Sequence, residues 1–176
     1  MGLVLKKLHQ IKMLVLDVDG IMTDCRLWMD SNGEWKRFYS VRDGVGIKAL
    51  IEAGYKLAVI TGSDANDIRS RVKNLGIHFL FEGAKDKMPS FEKLKKDSGI
   101  LASEMAYMGD DVFDLPILKA VQFSATVPNA IEEVLGSVDY VTRRAAGDGA
   151  VREVCDYILQ YGYYRSDSKT KETARL

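Results

Sequence analysis

Short apolar runs alternate along this chain with longer segments in which apolar residues recur every three or four positions. A short apolar run is typical of a buried parallel strand, and the longer spacing is typical of an amphipathic helix. Several of the helical segments stop at a glycine, which is a common helix terminus. The predicted strands span residues 13–16, 56–60, 78–81, 105–108, 122–125 and 140–141, and the predicted helices span residues 45–53, 64–74 (with Asp64 as N-cap), 88–97, 112–119, 129–135 and 151–161.

This alternation of strands and helices predicts an α/β fold, a three-layer, doubly wound, mostly parallel Rossmann-like sheet with helices on both faces. Residues 26–40 differ, because aromatic segments flank the turn cluster at 30–33 and predict a β-hairpin. This hairpin either hangs over a functional site as a flap or packs on the domain or on a neighbouring subunit. We expect one domain over residues 1–164 and a mobile polar tail over residues 165–176.

An acidic stretch follows the first predicted strand, where Asp17-Val18-Asp19-Gly20 places two carboxylates at the end of an apolar run. Residues two apart in a strand point to the same face, so Asp17 and Asp19 are expected to project together. Like charges at this distance raise each other's pKa, and a divalent cation relieves the repulsion. Mg²⁺ suits such a site, because it binds one or two carboxylates and keeps positions for water and phosphate oxygens. The alternative is an acidic surface turn.

Three further loops carry polar side chains just after a predicted strand, at the sheet edge where open α/β sheets bind ligands. In the first, Thr61 and Gly62 can hold a phosphoryl oxygen at a helix N-terminus, or Thr61 or Ser63 only caps the helix. In the second, Lys85 and Lys87 precede a predicted helix, where a lysine is usually a solvated first-turn residue.

The third loop is acidic and contains Asp110, Asp111 and Asp114. A helix N-terminus favours negative charge, so an N-cap and first turn would explain one of these carboxylates. Three carboxylates in five residues are poorly explained in that way.

These four stretches, in this order, resemble the four motifs of the haloacid-dehalogenase-like phosphatases. The first is Asp-Val-Asp-Gly-Ile-Met-Thr-Asp at 17–24, the second is Thr-Gly-Ser at 61–63, the third is Lys87 entering a helix, and the fourth is Gly-Asp-Asp-Val-Phe-Asp at 109–114. The resemblance implies a Mg²⁺-dependent phosphomonoesterase that forms an aspartyl-phosphate. It further implies that Asp17 is the nucleophile and Asp19 the general acid and base. The other implied roles are phosphate binding by Thr61, Gly62 and Lys87 (with Lys85 as the weaker candidate), Mg²⁺ binding by Asp17, the Asp19 carbonyl and Asp110, and support of the metal waters and Lys87 by Asp111 and Asp114.

Two other stretches, Arg-Asp-Gly-Val-Gly-Ile at 42–47 and Gly-Ala-Val-Arg-Glu-Val at 149–154, resemble one branch of that family, the 3-deoxy-D-manno-octulosonate 8-phosphate phosphatases. Relatives of this branch act on nine-carbon acid phosphates of the sialic type, which is the alternative substrate class. The branch implies a cytoplasmic homotetramer, with hairpins packed together and a neighbour bordering the site, in lipopolysaccharide biosynthesis. The spacing of the motifs leaves no room for the cap domain of larger family members.

One position departs from this branch, because Ser63 stands where an arginine suited to a substrate carboxylate is common. Arg69, Arg71 or a residue of a neighbouring subunit is a candidate replacement for that arginine. Arg42 and Ser63 are weaker candidates for contacts with the substrate.

Amino-acid composition limits the classes of binding partner and the cellular compartment that the sequence suggests. Lys plus Arg and Asp plus Glu both number 25, so no basic excess points to nucleic acid or an anionic membrane as partner. No apolar stretch approaches the roughly 20 residues of a membrane span. Cys25 and Cys155 have no paired spacing and indicate reduced thiols in the cytoplasm. The expected partner is therefore a small sugar acid phosphate, and the alternatives of another class are a receiver-like phospho-acceptor and an oligomeric scaffold.

Overall fold

A six-stranded parallel sheet forms the centre of the computed structural model, which describes residues 6–162. The strand order is β5-β4-β1-β6-β7-β8, with β1 in the interior. The segment expected to form a mobile tail, 165–176, lies outside the described residues. The strands of the sheet are β1 (Met13–Leu16), β4 (Lys56–Ile60), β5 (Phe79–Phe81), β6 (Met105–Met108), β7 (Phe123–Thr126) and β8 (Tyr140–Val141), and the hairpin strands are β2 (Leu27–Met29) and β3 (Trp35–Arg37).

Between residues 9 and 162, six helices accompany the sheet. They are α1 (Val41–Glu52), α2 (Asn66–Leu75), α3 (Met88–Ser98), α4 (Leu115–Ala120), α5 (Glu132–Leu135) and α6 (Ala150–Tyr161), with 3₁₀ turns at Ala102–Glu104 and Val112–Asp114. Within residues 6–162, no helix is both long enough and apolar enough to span a membrane.

Strand β1 shows why both faces of the sheet are covered. Its side chains alternate, so Leu14 and Leu16 pack on one face while Met13 and Val15 pack on the other. The first face is covered by α1, α2 and α6, and the second by α3, α4 and α5. Apolar burial on both faces gives the continuous apolar run that the sequence shows. The predicted three-layer α/β fold is confirmed.

The chain between Asp19 and Lys87 contains only the hairpin, α1, β4, α2 and β5. No cap domain is inserted there, as predicted. The hairpin is antiparallel and pairs Met29 with Trp35. Its apolar side chains are largely exposed, with Trp35 at 55% and Phe38 at 60%.

Several predicted boundaries were wrong for identifiable local reasons. Helix α1 begins four residues early, at Val41, because the Ser40 side chain accepts a hydrogen bond from the Asp43 N–H and caps the helix. Asp64 is not an N-cap; it is ion-paired with Arg69 and α2 begins at Asn66. The predicted helix at 112–119 is a 3₁₀ turn followed by α4, and the one at 129–135 begins only at residue 132.

Candidate active site

The carboxyl ends of three adjacent strands bring the predicted residues together. Asp17 follows β1, Thr61 follows β4 and Asp110 lies two residues beyond β6. The Asp17 N–H donates to the Met108 carbonyl at 3.0 Å, which continues the β1–β6 ladder into the acidic motif. A pocket of about 440 Å³ opens at this edge, and it is lined by Asp17, Asp19, Cys25, Thr61, Gly62, Ser63, Ala84, Lys85, Lys87, Asp110, Asp111 and Phe113.

A buried ion cluster lies at the base of this pocket. The Lys87 Nζ is 2.8 Å from Asp17 Oδ1 and 2.6 Å from Asp114 Oδ1. Asp114 is fully buried, and its Oδ1 also accepts from the Tyr107 hydroxyl at 2.5 Å. Asp17 and Lys87 are each 6% exposed. Charges this deeply buried are tolerated only when they are paired and hydrogen-bonded, so the cluster fixes Lys87 against Asp17.

The other acids of the third loop are placed differently from one another. Asp114 Oδ2 accepts the backbone N–H groups of Asp110 and Asp111, at 3.1 and 3.2 Å. Asp114 therefore contacts Lys87 as the resemblance implied, with both of its oxygens occupied. The Asp111 carboxylate is exposed and accepts from the Val112 N–H at 2.6 Å, so it makes a local cap and does not reach Lys87.

Three carboxylates are close enough to share a cation. Asp17, Asp110 and Asp114 each place an oxygen within 4.8 Å of the others. Because Asp114 is already engaged, Asp17 and Asp110 are the carboxylates available as ligands. A Cβ on Gly20 would lie 1.9 Å from Asp110 Oδ2, so the Asp19–Gly20 backbone lies directly against Asp110. This all-oxygen donor set fits a hard divalent cation such as Mg²⁺.

The proton affinities of these acids indicate the same need for a cation. Burial raises the pKa of Asp17 to about 7, against the Lys87 ammonium and with help from the Asp114 charge. Burial and then the Asp114 charge raise the pKa of Asp110 to about 7. The sequence predicted that Asp17 and Asp19 would raise each other's pKa. For Asp19 that expectation was wrong, because hydrogen bonds from Arg37 and Ser63 outweigh its burial and lower its pKa. For Asp17 the direction was right but the cause was not, since burial and the Asp114 charge raise its pKa.

The Asp19 carboxylate is held by an arginine that sequence reasoning missed. Arg37, on β3 of the hairpin, donates from Nε to Asp19 Oδ1 at 2.6 Å and from Nη2 to Asp19 Oδ2 at 3.0 Å. Ser63 Oγ donates to Asp19 Oδ2 at 2.8 Å. The hairpin therefore contacts the site through the Arg37 side chain, which binds the Asp19 carboxylate. No sequence motif indicates this contact, because it joins residues 18 positions apart across a turn.

The loop after β4 is folded around Thr61. Its side chain is buried and its Oγ1 accepts the Ser63 N–H at 3.1 Å. The N-cap of α2 is Ala65, and no side chain caps that helix, so the alternative of Thr61 or Ser63 as a cap was wrong. Of the two candidate lysines, Lys87 is in the ion cluster and Lys85 lies exposed at the pocket wall.

The other candidate arginines lie away from this pocket. Arg69 is ion-paired with Asp64 and Glu82, and Arg71 donates to the Ser40 carbonyl at 2.8 Å. Arg42 is 3.5 Å from Asp148 and lines a separate pocket beside the start of α6. None of the three is among the residues that line the pocket of Asp17.

Cys25 lines the pocket but does not have the properties of a nucleophile. Burial and the charges of Asp110 and Asp19 raise the pKa of its thiol to about 11. A neutral thiol is a poor nucleophile, which agrees with the sequence-based view that no base activates it.

Comparisons with known proteins agree with this geometry. A model of the haloacid dehalogenase-like hydrolases matches residues 79–154, the segment that contains Lys87, Asp110 and Asp114. The 3-deoxy-D-manno-octulosonate 8-phosphate phosphatase of Escherichia coli K12 is 40% identical over 156 residues, which is 89% of this chain and 83% of that protein. The protein of the same name from Haemophilus influenzae is 42% identical over 155 residues, 88% of this chain and 86% of that protein.

Solved structures share the fold over nearly the whole described chain. The 3-deoxy-D-manno-octulosonate 8-phosphate phosphatase of Moraxella catarrhalis, in complex with magnesium ion, phosphate ion and KDO, superimposes with a TM-score of 0.89. It is 38% identical and covers 92% of this chain and 93% of its own. Fold and site together define a phosphoric monoester hydrolase. The chain belongs to the haloacid dehalogenase-like hydrolase family, in the branch without a cap domain.

Proposed function

We propose that this chain hydrolyses 3-deoxy-D-manno-octulosonate 8-phosphate to the free sugar acid and phosphate, with Mg²⁺ as its cofactor. The observation that carries the proposal is the buried Asp17–Lys87 pair with Asp110 beside it, at the ends of adjacent strands. The substrate rests on similarity to phosphatases that carry this substrate in their names and cover most of the chain. The sialic-type alternative and the non-catalytic alternatives have no observation in their favour.

Asp17 is the proposed nucleophile. Its Oδ2 is free of the Lys87 contact, which uses Oδ1. An Asp17 oxygen attacks phosphorus, an O–P bond to Asp17 forms, and the bond from phosphorus to the sugar oxygen breaks. Asp17, the Asp19 carbonyl and Asp110 would hold Mg²⁺, whose charge would offset that of the carboxylates and the phosphoryl group and let Asp17 react as an anion.

Asp19 is the proposed general acid and base. For the first half-reaction Asp19 must take up a proton against the hydrogen bonds from Arg37 and Ser63 that lower its pKa, and it then gives this proton to the departing sugar oxygen. In the second half-reaction it takes a proton from a water that attacks phosphorus, the Asp17–phosphorus bond breaks, and phosphate leaves. Each half-reaction returns what the other takes, so Asp17 and Asp19 end in their starting states.

Thr61, Gly62 and Lys87 are the proposed ligands of the phosphoryl oxygens that are not on the reaction axis. Thr61 and Lys87 are buried at the pocket base, and Gly62 lines the wall beside them. A preorganised ammonium and hydroxyl stabilise the charge that develops on these oxygens. Lys87 is held by Asp17 and Asp114 before substrate arrives, so little reorganisation is needed.

We also propose a homotetramer that works in lipopolysaccharide biosynthesis in the cytoplasm. The hairpin supports the oligomer, because Met29 and Trp35 on one face and Trp28 and Phe38 on the other are exposed by 44–60%. Exposed apolar area of this kind marks contacts between proteins. Light scattering after size exclusion tests this, with Trp35→Ser as the variant expected to dissociate. Two free cysteines agree with a reducing compartment.

The test of the catalytic proposal is phosphate release over eight- and nine-carbon 2-keto-3-deoxy sugar acid phosphates and simple sugar phosphates, with Mg²⁺ or with EDTA. Asp17→Asn should abolish release, and Asp97→Asn, a matched change on the exposed face of α3, should leave it unchanged. Preference for a nine-carbon acid would replace the substrate and keep the mechanism. Release that survives EDTA or Asp17→Asn would refute the mechanism.

A further inference from the structure

Arg37 makes an unusually complete set of contacts for a hairpin side chain. Its Nε and Nη2 grip both oxygens of Asp19, and Nη2 also donates to Ser63 Oγ at 3.0 Å. Its Nη1 lies 3.1 and 3.4 Å from the two oxygens of Asp67, at the start of α2. The side chain is only 6% exposed. A guanidinium held in this way is a rigid fork rather than a solvated surface charge.

This set of contacts leaves no nitrogen of Arg37 for a substrate. The guanidinium has five N–H donors on three nitrogens, and Asp19, Asp67 and Ser63 engage all three. Arg37 therefore differs from a residue that waits for a substrate anion. Its acceptors belong to the protein, and the acceptor nearest to the chemistry is Asp19.

The Asp19 carboxylate is equally constrained. Its Oδ2 accepts hydrogen bonds from Arg37 and Ser63. Its Oδ1 accepts one hydrogen bond from Arg37 and a longer one, at 3.5 Å, from Thr23 Oγ1. Each carboxylate oxygen has two lone pairs, so both lone pairs of Oδ2 are occupied. On Oδ1, only the lone pair that accepts the weak Thr23 hydrogen bond can be released. The plane and the reactive oxygen of Asp19 are thus fixed from the hairpin side.

We propose that Arg37 is the positioning residue for Asp19 and that the hairpin, through this one side chain, sets the orientation in which Asp19 delivers its proton to the leaving oxygen. The inference rests on the proposed acid role of Asp19. Asp67 anchors the far side of the guanidinium, and Ser63 closes the contact with Asp19. A one-ångström displacement of an acid is enough to cost a large part of its catalytic effect.

The test compares kcat/KM for substrates that differ in how much they need an acid. One is 3-deoxy-D-manno-octulosonate 8-phosphate, one is a simple sugar 6-phosphate without a carboxylate, and one is p-nitrophenyl phosphate, whose leaving group departs without a proton. Because kcat/KM covers the steps up to leaving-group departure, Arg37→Gln should lower it about 10- to 100-fold for both sugar phosphates, a fraction of the roughly 10²–10⁴ that a general acid provides. For p-nitrophenyl phosphate the loss should stay within about 3-fold, since that substrate does not use the acid.

Three matched variants complete the design. Lys36→Gln removes the neighbouring hairpin cation, whose partners Asp30 and Glu34 lie within the hairpin, and should change none of the three values. Asp67→Asn should give the Arg37→Gln signature in weaker form. Arg37→Lys should restore part of the sugar phosphate activity, because an ammonium can reach one carboxylate but cannot bridge two.

Three other outcomes would overturn the inference, and one would overturn only the proposed substrate. Equal losses on all three substrates, with a lowered Tm, would mean a structural ion pair only. A loss confined to the octulosonate would mean that Arg37 binds the substrate carboxylate. If the wild type turns over only the simple substrates, the proposed substrate fails while their ratio still tests Arg37. A crystal structure of Arg37→Gln with Asp19 unmoved would refute the positioning role whatever the activity.

Discussion

Replacing Asp114 by Asn tests the buried ion cluster directly. Asp114 receives four hydrogen bonds, two on each oxygen, from Lys87, Tyr107 and the N–H groups of Asp110 and Asp111. An Asn of the same shape offers one acceptor oxygen and one NH₂ group. With its NH₂ group toward Asp110 and Asp111, two backbone N–H donors face another donor. With its NH₂ group toward Lys87 and Tyr107, the ammonium faces another donor, while the Tyr107 hydroxyl can turn to accept.

The expected cost follows from that count. One or two buried donors without acceptors, according to the orientation of the amide, cost about 1–3 kcal/mol each, and Lys87 loses one of its two counter-charges. Breaking a buried ion pair by removing one partner typically costs about 3–5 kcal/mol. We therefore expect Asp114→Asn to lower the free energy of unfolding by about 3–5 kcal/mol, which for a chain of this size lowers Tm by about 10 °C.

Chemical denaturation in EDTA is the assay, because bound metal would add its own stabilisation to the folded state. The control is Asp111→Asn, which also exchanges an acid for an amide in the same loop. Asp111 is exposed and only caps the Val112 N–H, and Asn is an equally good cap, so a change within about 0.5 kcal/mol is expected. A loss below about 1 kcal/mol for Asp114→Asn would refute the reasoning that all four bonds form together.

Tyr107→Phe gives a graded version of the same test. It removes only the hydroxyl that donates to Asp114 Oδ1 from a fully buried ring. A hydrogen bond to a charged group contributes about 1.5–3 kcal/mol. The loss should fall between those of the Asp111 and Asp114 variants in the same denaturation series, and a loss equal to that of Asp114→Asn would mean that the ammonium pair adds nothing.

Two further predictions concern other parts of the molecule. Gly20→Ala should weaken Mg²⁺ binding about 10-fold or more in titration calorimetry, because a Cβ on Gly20 would lie 1.9 Å from Asp110 Oδ2. The control is Gly33→Ala, which should leave Mg²⁺ binding unchanged. Gly33 also has a positive φ, but a Cβ there would have no atom within 4 Å. His78 accepts the Leu57 N–H on Nδ1, and burial followed by the Lys56 charge lowers its pKa below the ordinary 6.5. Since the unfolded chain then takes up the proton first, the stabilising contribution of this histidine is present above about pH 6.5 and is lost as pH falls below it. The stability difference between wild type and His78→Asn should shrink below pH 6.5, and a constant difference would count against the bond.

The strand-end residues could be predicted because each depends on a local signal. An apolar run followed by Asp17 or Asp110 indicates both a buried strand and the carboxyl edge of the sheet, where ligands bind. The magnesium prediction agrees with the carboxylate cluster and with the magnesium-bound relative. Tyr107 also carried a signal that was not used, because a tyrosine inside a four-residue buried strand needs a partner for its hydroxyl.

Arg37 had no such signal. Its three acceptors lie 18, 26 and 30 positions away and come from two other loops and the first turn of α2, so only the tertiary fold brings them to the hairpin. The start of α1 was predicted too late, because apolar spacing marks only the buried part of a helix. The position of the first turn depends on the polar residue that caps it. Arg69 and Arg71 on α2 were the candidates from the sequence, but they contact Glu82 and the Ser40 carbonyl instead.

The two stretches that resemble the octulosonate branch contact each other rather than the pocket. Asp43 Oδ1 accepts the Arg152 N–H at 2.8 Å and so caps α6, whose own N-cap is Gly149. A Cβ on Gly46 would lie 2.8 Å from the Arg152 Cδ and 3.1 Å from the Arg152 Cα, so the two helices pack closely at this glycine. These signatures are therefore a packing device between α1 and α6. The pocket of Asp17 is lined instead by Ser63, which donates to Asp19 and stands where the resemblance leads us to expect an arginine.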